Sequence, residues 1–351
     1  MSKNIIVFSD GTGQEGGKGH NTNIYKLFNM IEDRTSEQIA FYDRGLGTGW
    51  RKITGKVGGM GISKNIMECY EFIFENYTAG DHIYLFGFSR GAATVRSLSG
   101  FIHLFGILPK SRPELIRRAY KIYKIPDDDR REKKAEEFID KHHTMWCRIR
   151  FLGVWDTVAA LGIPFKSIAV ILDKVPFFRH RFHNFRLSPS VENAYHALAL
   201  DEERLTFHPV LWDREKAEYQ TMKQVWFCGV HTDVGGGYKE QELSDIPLVW
   251  IIQMAVRHGL KIYPKHNIMI NQDINGIMHD SRKDFPKNLF RKKVRFWNMK
   301  THGKPTIHES VLERKLNKKN VEDPPYKSWI FDLEHETESW NKEVPSGRQR
   351  D

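Results

Sequence analysis

The sequence predicts an α/β fold of the α/β-hydrolase-like kind: a mostly parallel central sheet, helices on both faces and helical cap insertions. Three observations carry this prediction. Short apolar runs rich in β-branched and aromatic residues alternate with longer helical patterns. Each such run stops where Gly, Asp or Ser takes over, as strands do at the ligand-gathering edge of an open sheet. The 351 residues, 40% hydrophobic and 12% aromatic, can bury a full-sized core, yet no apolar run approaches the ~18 residues of a membrane span.

Taken in order, Ile5 to Phe8 is the first expected strand and ends at Ser9-Asp10-Gly11. A helical pattern follows at Asn23 to Met30, then a strand at Ile39 to Tyr42 that stops at Asp43. Helical spacing resumes at Gly61 to Asn76. The strand Ile83 to Phe86 ends at Gly87, and Ala92 to Phe105 continues as a helix. Helices are expected at Glu114 to Tyr123 and Arg130 to His142, and across Lys110 to Lys141 both signs of charge are interspersed as on a solvated helical surface. The strand Ile149 to Val154 precedes Asp156. Val191 to Asp201 is expected as a helix, Gln224 to Val230 as the last strand, and Pro247 to His258 as the last helix. No repeat, low-complexity tract or linker divides the chain, so residues 1–351 are expected to form one elaborated domain, with cap or lid insertions at 106–146 and 162–190. Within the second insertion, Ile168 to Leu172 with Val175, Phe177 and Phe178 reads equally as a lid over an apolar channel or as a buried helix.

The 54 Lys and Arg against 44 Asp and Glu give a net charge of +10, which favours anionic partners, a phospholipid surface or nucleic acid, without choosing between them. Most of the excess is local. Residues 282–304 carry nine basic side chains and one acid, Asp284, with Phe285, Phe290, Phe296 and Trp297 interleaved. This segment is expected either to touch an anionic membrane peripherally or to be plain solvated surface. Cys69, Cys147 and Cys228 are too scattered for a disulfide framework or zinc knuckle and suit a reducing compartment. Met1 to Asn4 runs directly into the first strand with no signal-peptide pattern, so the expectation is a cytoplasmic protein as synthesised, any export being signal-independent.

The strongest chemical signal is Gly87-Phe88-Ser89-Arg90-Gly91 between an expected strand and helix. A serine nucleophile projects from a tight strand-to-helix bend, where Gly87 and Gly91 let helix and strand approach closely. The Arg90 N–H then lies at a helix N-terminus, ready to donate to an oxyanion. Serine needs a histidine base oriented by a carboxylate, in the chain order Ser, acid, His. Asp156 and His231 satisfy that order, each past a strand. Asp233 is a rival acid that could instead brace the loop Gly235-Gly236-Gly237, and His308 is a rival base, otherwise a surface residue flanking a helix. The turn Asp10-Gly11-Thr12-Gly13 has two readings. Gly11, Gly13 and Gly16 formally match a dinucleotide GxGxxG, but the following loop is too long to seat a pyrophosphate on a helix. The favoured reading is that the Gly11 or Thr12 N–H supplies the second oxyanion donor. No HExxH or Cys/His spacing points to a metal, and no cofactor is expected.

At these residues the chain resembles the DUF2235 family, the catalytic domain of the type VI secretion lipase effector family one. The resemblance spans most of residues 4 to 312. It rests on Asp10-Gly11-Thr12, Thr22-Asn23-Ile24, the run Phe41 to Thr48, Gly87 to Ala92, Val154-Trp155-Asp156-Thr157-Val158, Ala197 to Glu202 and the His231 to Tyr238 loop. It implies an α/β-hydrolase with a Ser-Asp-His triad acting on carboxylic esters, in the effector branch on phospholipid acyl esters. The competing expectation is an inactive hydrolase scaffold that binds nucleic acid or a nucleotide signal.

Overall fold

In the computed structural model, eight strands form one parallel sheet: β1 (Asn4–Ser9), β2 (Gln38–Asp43), β3 (His82–Phe88), β4 (Ile149–Trp155), β5 (Asn193–Ala199), β6 (Thr221–Phe227), β7 (Thr306–His308) and β8 (Glu336–Glu338). Their spatial order is β2-β1-β3-β4-β5-β6-β7-β8, with every pairing parallel. The structure describes residues 2–11, 17, 19–31, 35–45, 56–158, 186–263, 269–282, 292–316 and 326–345, with backbone alone at 56–60. The expected insertion at 162–190 therefore lies almost wholly outside the described residues.

Strand periodicity assigns the two faces. Ile5, Val7, Ile83, Leu85, Leu152 and Val154 point to one side, where α2 (Lys56–Asn76), α3 (Arg90–Phe105), α4 (Glu114–Tyr123) and α5 (Asp128–His142) cover them. Ile6, Phe8, Tyr84, Phe86, Phe151 and Trp155 point to the other, covered by α1 (Asn23–Met30) and α7 (Glu242–Arg257). The segment 106–146 adds Leu115, Ala119, Tyr123, Ala135 and Phe138 to the first core, so it thickens that helical layer. Five short elements complete the named set among the described residues: α6 (His231–Gly235), α8 (Met299–His302), α9 (Glu309–Leu316) and 3₁₀ turns at Leu205–Phe207 and Trp329–Asp332. A third cluster of Leu198, Trp226, Ile307, Val311 and Tyr326 closes the β7 end. The three cysteines are buried, and none of them forms a disulfide.

One expected element is the wrong type. Residues 191–201 form no helix: Asn193–Ala199 is the strand β5, buried at every position and paired with both β4 and β6. A central parallel strand is covered on both faces, so it loses the alternation that marks a strand, and its three alanines carry high helix propensity. Strands β7 and β8, of three residues each, lie beyond the strand expected to be last. They are too short to show a period.

Candidate active site

Because all eight strands run the same way, the residues that follow them gather along one edge. Ser89 sits there between β3 and α3 with φ 58° and ψ −118°, a conformation that costs a residue with a Cβ about 1–3 kcal/mol. Neighbouring glycines make the bend feasible. A Cβ on Gly91 would lie 2.0 Å from the Ser9 carbonyl oxygen, and one on Gly87 would lie 2.6 Å from the Ala92 Cα. The Ser89 N–H donates to the Trp155 carbonyl at 3.0 Å, tying the bend to the end of β4.

The Ser89 hydroxyl lies 2.8 Å from Nε2 of His231, the first residue of α6, and Nδ1 of the same ring lies 2.5 Å from Oδ2 of Asp156. An ionised Asp156 accepts from Nδ1–H, which leaves Nε2 as an acceptor for the serine proton. The imidazole has little freedom. Phe88 stacks on it at 4.7 Å, Phe207 meets it edge-on at 5.0 Å, and the backbone N–H of His231 donates to Glu202 Oε2 at 3.2 Å. Burial pushes the His231 pKa down, against the upward pull of Asp156, and so favours the neutral base.

Asp156 is fully buried, with a positive φ of 39°. Its principal partner is one that sequence reasoning missed. Arg295 grips the carboxylate with two prongs, Nη1 to Oδ1 at 2.6 Å and Nη2 to Oδ2 at 2.8 Å. The same two nitrogens donate to the carbonyls of Ala199 and Phe207, and the Ala199 N–H donates to Oδ1 at 3.0 Å. Burial drives the carboxyl pKa up, but the Arg295 charge and hydrogen bonds, joined by His231, outweigh it and hold Asp156 well below the usual carboxylate range. Arg295 belongs to the basic segment expected at a surface. Over 292–298 exposed and buried residues alternate: Lys292, Val294, Phe296 and Asn298 face out, while Arg295 and Trp297 are buried.

Two more residues were missed. Glu202 is buried and paired with Arg204 through Nε at 2.9 Å and Nη2 at 2.8 Å, so the carboxylate that anchors the His231 backbone is itself neutralised. The signal was the Asp201-Glu202 that closes the Ala197 to Glu202 motif.

The rival groups sit elsewhere. Asp233 accepts from His279 Nδ1 at 2.6 Å and from the Val230 N–H at 3.0 Å, bracing the glycine loop. Gly235 of that loop leaves room for Phe88, whose ring would lie 1.9 Å from a Cβ there. His308 is buried at the end of β7, stacked on Phe227 at 4.7 Å and bonded to Ser310 Oγ at 2.8 Å; burial lowers its pKa to about 3. It is not a surface residue. Its environment keeps it neutral.

On the oxyanion side, Arg90 opens α3, where a first-turn N–H has no intrahelical acceptor. Burial lowers the pKa of its guanidinium to about 10. The Gly11 N–H is committed to Asp10 Oδ1 at 2.7 Å, and Asp10 also accepts from Thr22 at 2.7 Å and Tyr42 at 2.6 Å. Burial raises Asp10 to about 6 despite these bonds. Thr12 lies outside the described residues. Among the described residues no group of three or more His, Cys, Asp or Glu could hold a metal ion, and no helix is long and apolar enough to cross a membrane.

A parallel sheet whose strand ends bring together a serine on a strained strand-to-helix bend, a histidine and an aspartate defines an α/β-hydrolase-like protein. The crystal structure of an uncharacterized protein from Pseudomonas aeruginosa shares this fold, with a TM-score of 0.50 and 16% identity over 78% of this chain and 49% of that one. Residues 3–254 match the family described as "T6SS, Phospholipase effector Tle1-like, catalytic domain", and the chain belongs to that family. The structure of the Tle1 effector bound to the VgrG spike of the type 6 secretion system aligns with a TM-score of 0.37 and 19% identity, covering 68% of this chain and 52% of that one. An uncharacterized protein of Saccharomyces cerevisiae, YEL023C, is 32% identical over 230 residues, 58% of this chain. The chain spans only about a third of that relative, 32% of its length.

Proposed function

We propose that the protein is a serine hydrolase cleaving carboxylic esters, foremost the acyl esters of phospholipids, through Ser89, His231 and Asp156. The observation that carries this is the unbroken hydrogen-bonded chain from the Ser89 hydroxyl through both His231 nitrogens to a buried, ionised Asp156. His231 Nε2 takes the serine proton as Oγ bonds to the acyl carbon, and the carbonyl electrons move onto oxygen. The Arg90 N–H and, since Gly11 is engaged by Asp10, the Thr12 N–H are the donors we assign to that oxyanion. Collapse breaks the bond to the alcohol, which leaves with the proton from His231. Water, deprotonated by the same nitrogen, then attacks the acyl-enzyme and releases the acid and Ser89.

Active-site labelling tests the assignment. A fluorophosphonate should react once, and mass spectrometry of the digest should place the adduct on Ser89, with wild-type protein releasing fatty acid from phospholipid vesicles. A protein that resists the probe would be a binding module on an inactive scaffold.

The partner we propose for the outward face of 292–300 is an anionic bilayer. Val294 is 44% and Phe296 57% exposed, and Lys293 lies 5.6 Å over the Phe296 ring. Part of the local charge is answered within the protein, since Arg282 and Lys292 reach Glu203 and Lys304 reaches Glu334. Changing Val294→Asp and Phe296→Asp together should weaken co-sedimentation with phosphatidylglycerol vesicles by about tenfold or more, while turnover of a water-soluble ester hardly changes. Equal binding by wild type and variant would remove the membrane from the proposal.

A further inference from the structure

We infer that Arg295 is a positioning residue for the hydrolytic site: its two-pronged grip holds the Asp156 carboxylate charged and in the plane that His231 Nδ1 requires. This rests on the role proposed above for Ser89, His231 and Asp156. The geometry goes beyond a simple ion pair. Oδ2 of Asp156 is shared, accepting from Arg295 Nη2 at 2.8 Å and lying 2.5 Å from His231 Nδ1. Any rotation of the carboxylate that loosens one bond loosens the other. The guanidinium is immobilised in turn, because each of its two terminal nitrogens also donates to a carbonyl, of Ala199 at the end of β5 and of Phe207. Phe207 contributes twice, since its ring packs against His231 while its carbonyl holds Arg295. One residue thus links the acid, the base's packing wall and the outer segment 292–298.

A proton count gives this arrangement a signature that a merely structural clasp lacks. The working couple of Asp156 and His231 holds one proton, on Nδ1. A second proton silences it: on Nε2 it removes the base, and on the carboxyl it turns Nδ1 into an acceptor and gives the wrong tautomer. A buried positive charge on the far side of Asp156 opposes that second proton in either place. Its removal makes protonation easier, so the pH at which activity fails on the acid side must rise. The other groups facing the couple are Glu202 and Arg204 beside His231, and His196 and His208 near Asp156, both histidines held neutral by burial. Glu202 and Arg204 pair with each other. That leaves Arg295 as the cation set directly against the acid.

The experiment is the pH profile of kcat/KM for a soluble ester in wild type, Arg295→Met and Arg295→Lys, with folding followed by circular dichroism. In Arg295→Met the acid limb should move up by about 1–3 pH units, with activity partly recovered at high pH. In Arg295→Lys the charge remains, so the limb should stay within about half a unit, while kcat falls roughly tenfold because one ammonium cannot hold both oxygens. A folded Met variant with a uniformly lower rate and an unmoved limb overturns the inference. If the Met variant does not fold, the Lys variant decides: unchanged kcat overturns the inference, as does a limb displaced by a unit or more. Ser89→Ala run in parallel separates the two levels, because residual turnover there would condemn the hydrolase reading itself, whatever Arg295 does.

Discussion

Replacing Ser89 by alanine is expected to lower ester turnover about 10⁴-fold or more and to abolish fluorophosphonate labelling, while the protein keeps its fold. The size of the loss follows from the chemistry. The hydroxyl is the only atom removed, and without it the imidazole can at best activate water, leaving the rate supplied by binding and the oxyanion donors. Stability should hardly respond, because alanine keeps the Cβ that the strained bend already accommodates, and the one bond lost, to His231 at 2.8 Å, contributes about 1 kcal/mol. Initial rates at saturating substrate, together with a thermal melt, check both halves. Turnover within a hundredfold of wild type, in a protein melting normally, would mean that another nucleophile does the work.

Asp156→Asn is the second large effect, and it differs in kind because rate and stability fall together. An amide presents either its oxygen or its NH₂ to His231, and the latter selects the tautomer with Nε2 protonated, a loss of about 10⁴ in kcat. The amide also fails Arg295, whose two prongs match two equivalent oxygens. Breaking a buried pair by removing one charge costs about 3–5 kcal/mol, so the melt should shift markedly where that of Ser89→Ala does not. A variant that loses activity at unchanged stability would show that Arg295 is satisfied without the carboxylate's charge.

Much of this arrangement is legible in the sequence. The strands bearing Ser89, Asp156 and His231 are apolar runs ended by polar residues, and Gly87 and Gly91 mark a bend that no Cβ could share with Ser9 and Ala92. What could not be read has physical causes. In β5 burial on both faces erases the period of two, and alanine supplies a helical signal in its place. Glu202 closes the run Ala197 to Glu202, but its task depends on Arg204 folding back onto it to make a buried carboxylate tolerable. Arg295 was hidden most completely. Nine cations in one segment look alike whether each faces water or one turns inward, and Arg295 meets its partner across 139 residues of chain.

That separation matters for anyone who shortens the molecule. The stretch matched by the family ends at 254 and already holds the serine, histidine and aspartate. A fragment cut there would keep the three side chains proposed to react but lose the guanidinium, and its acid, still bonded to His231 and to the Ala199 N–H, would take up a proton more readily. A shortened protein therefore needs to keep residue 295 if its acid is to stay charged near neutral pH.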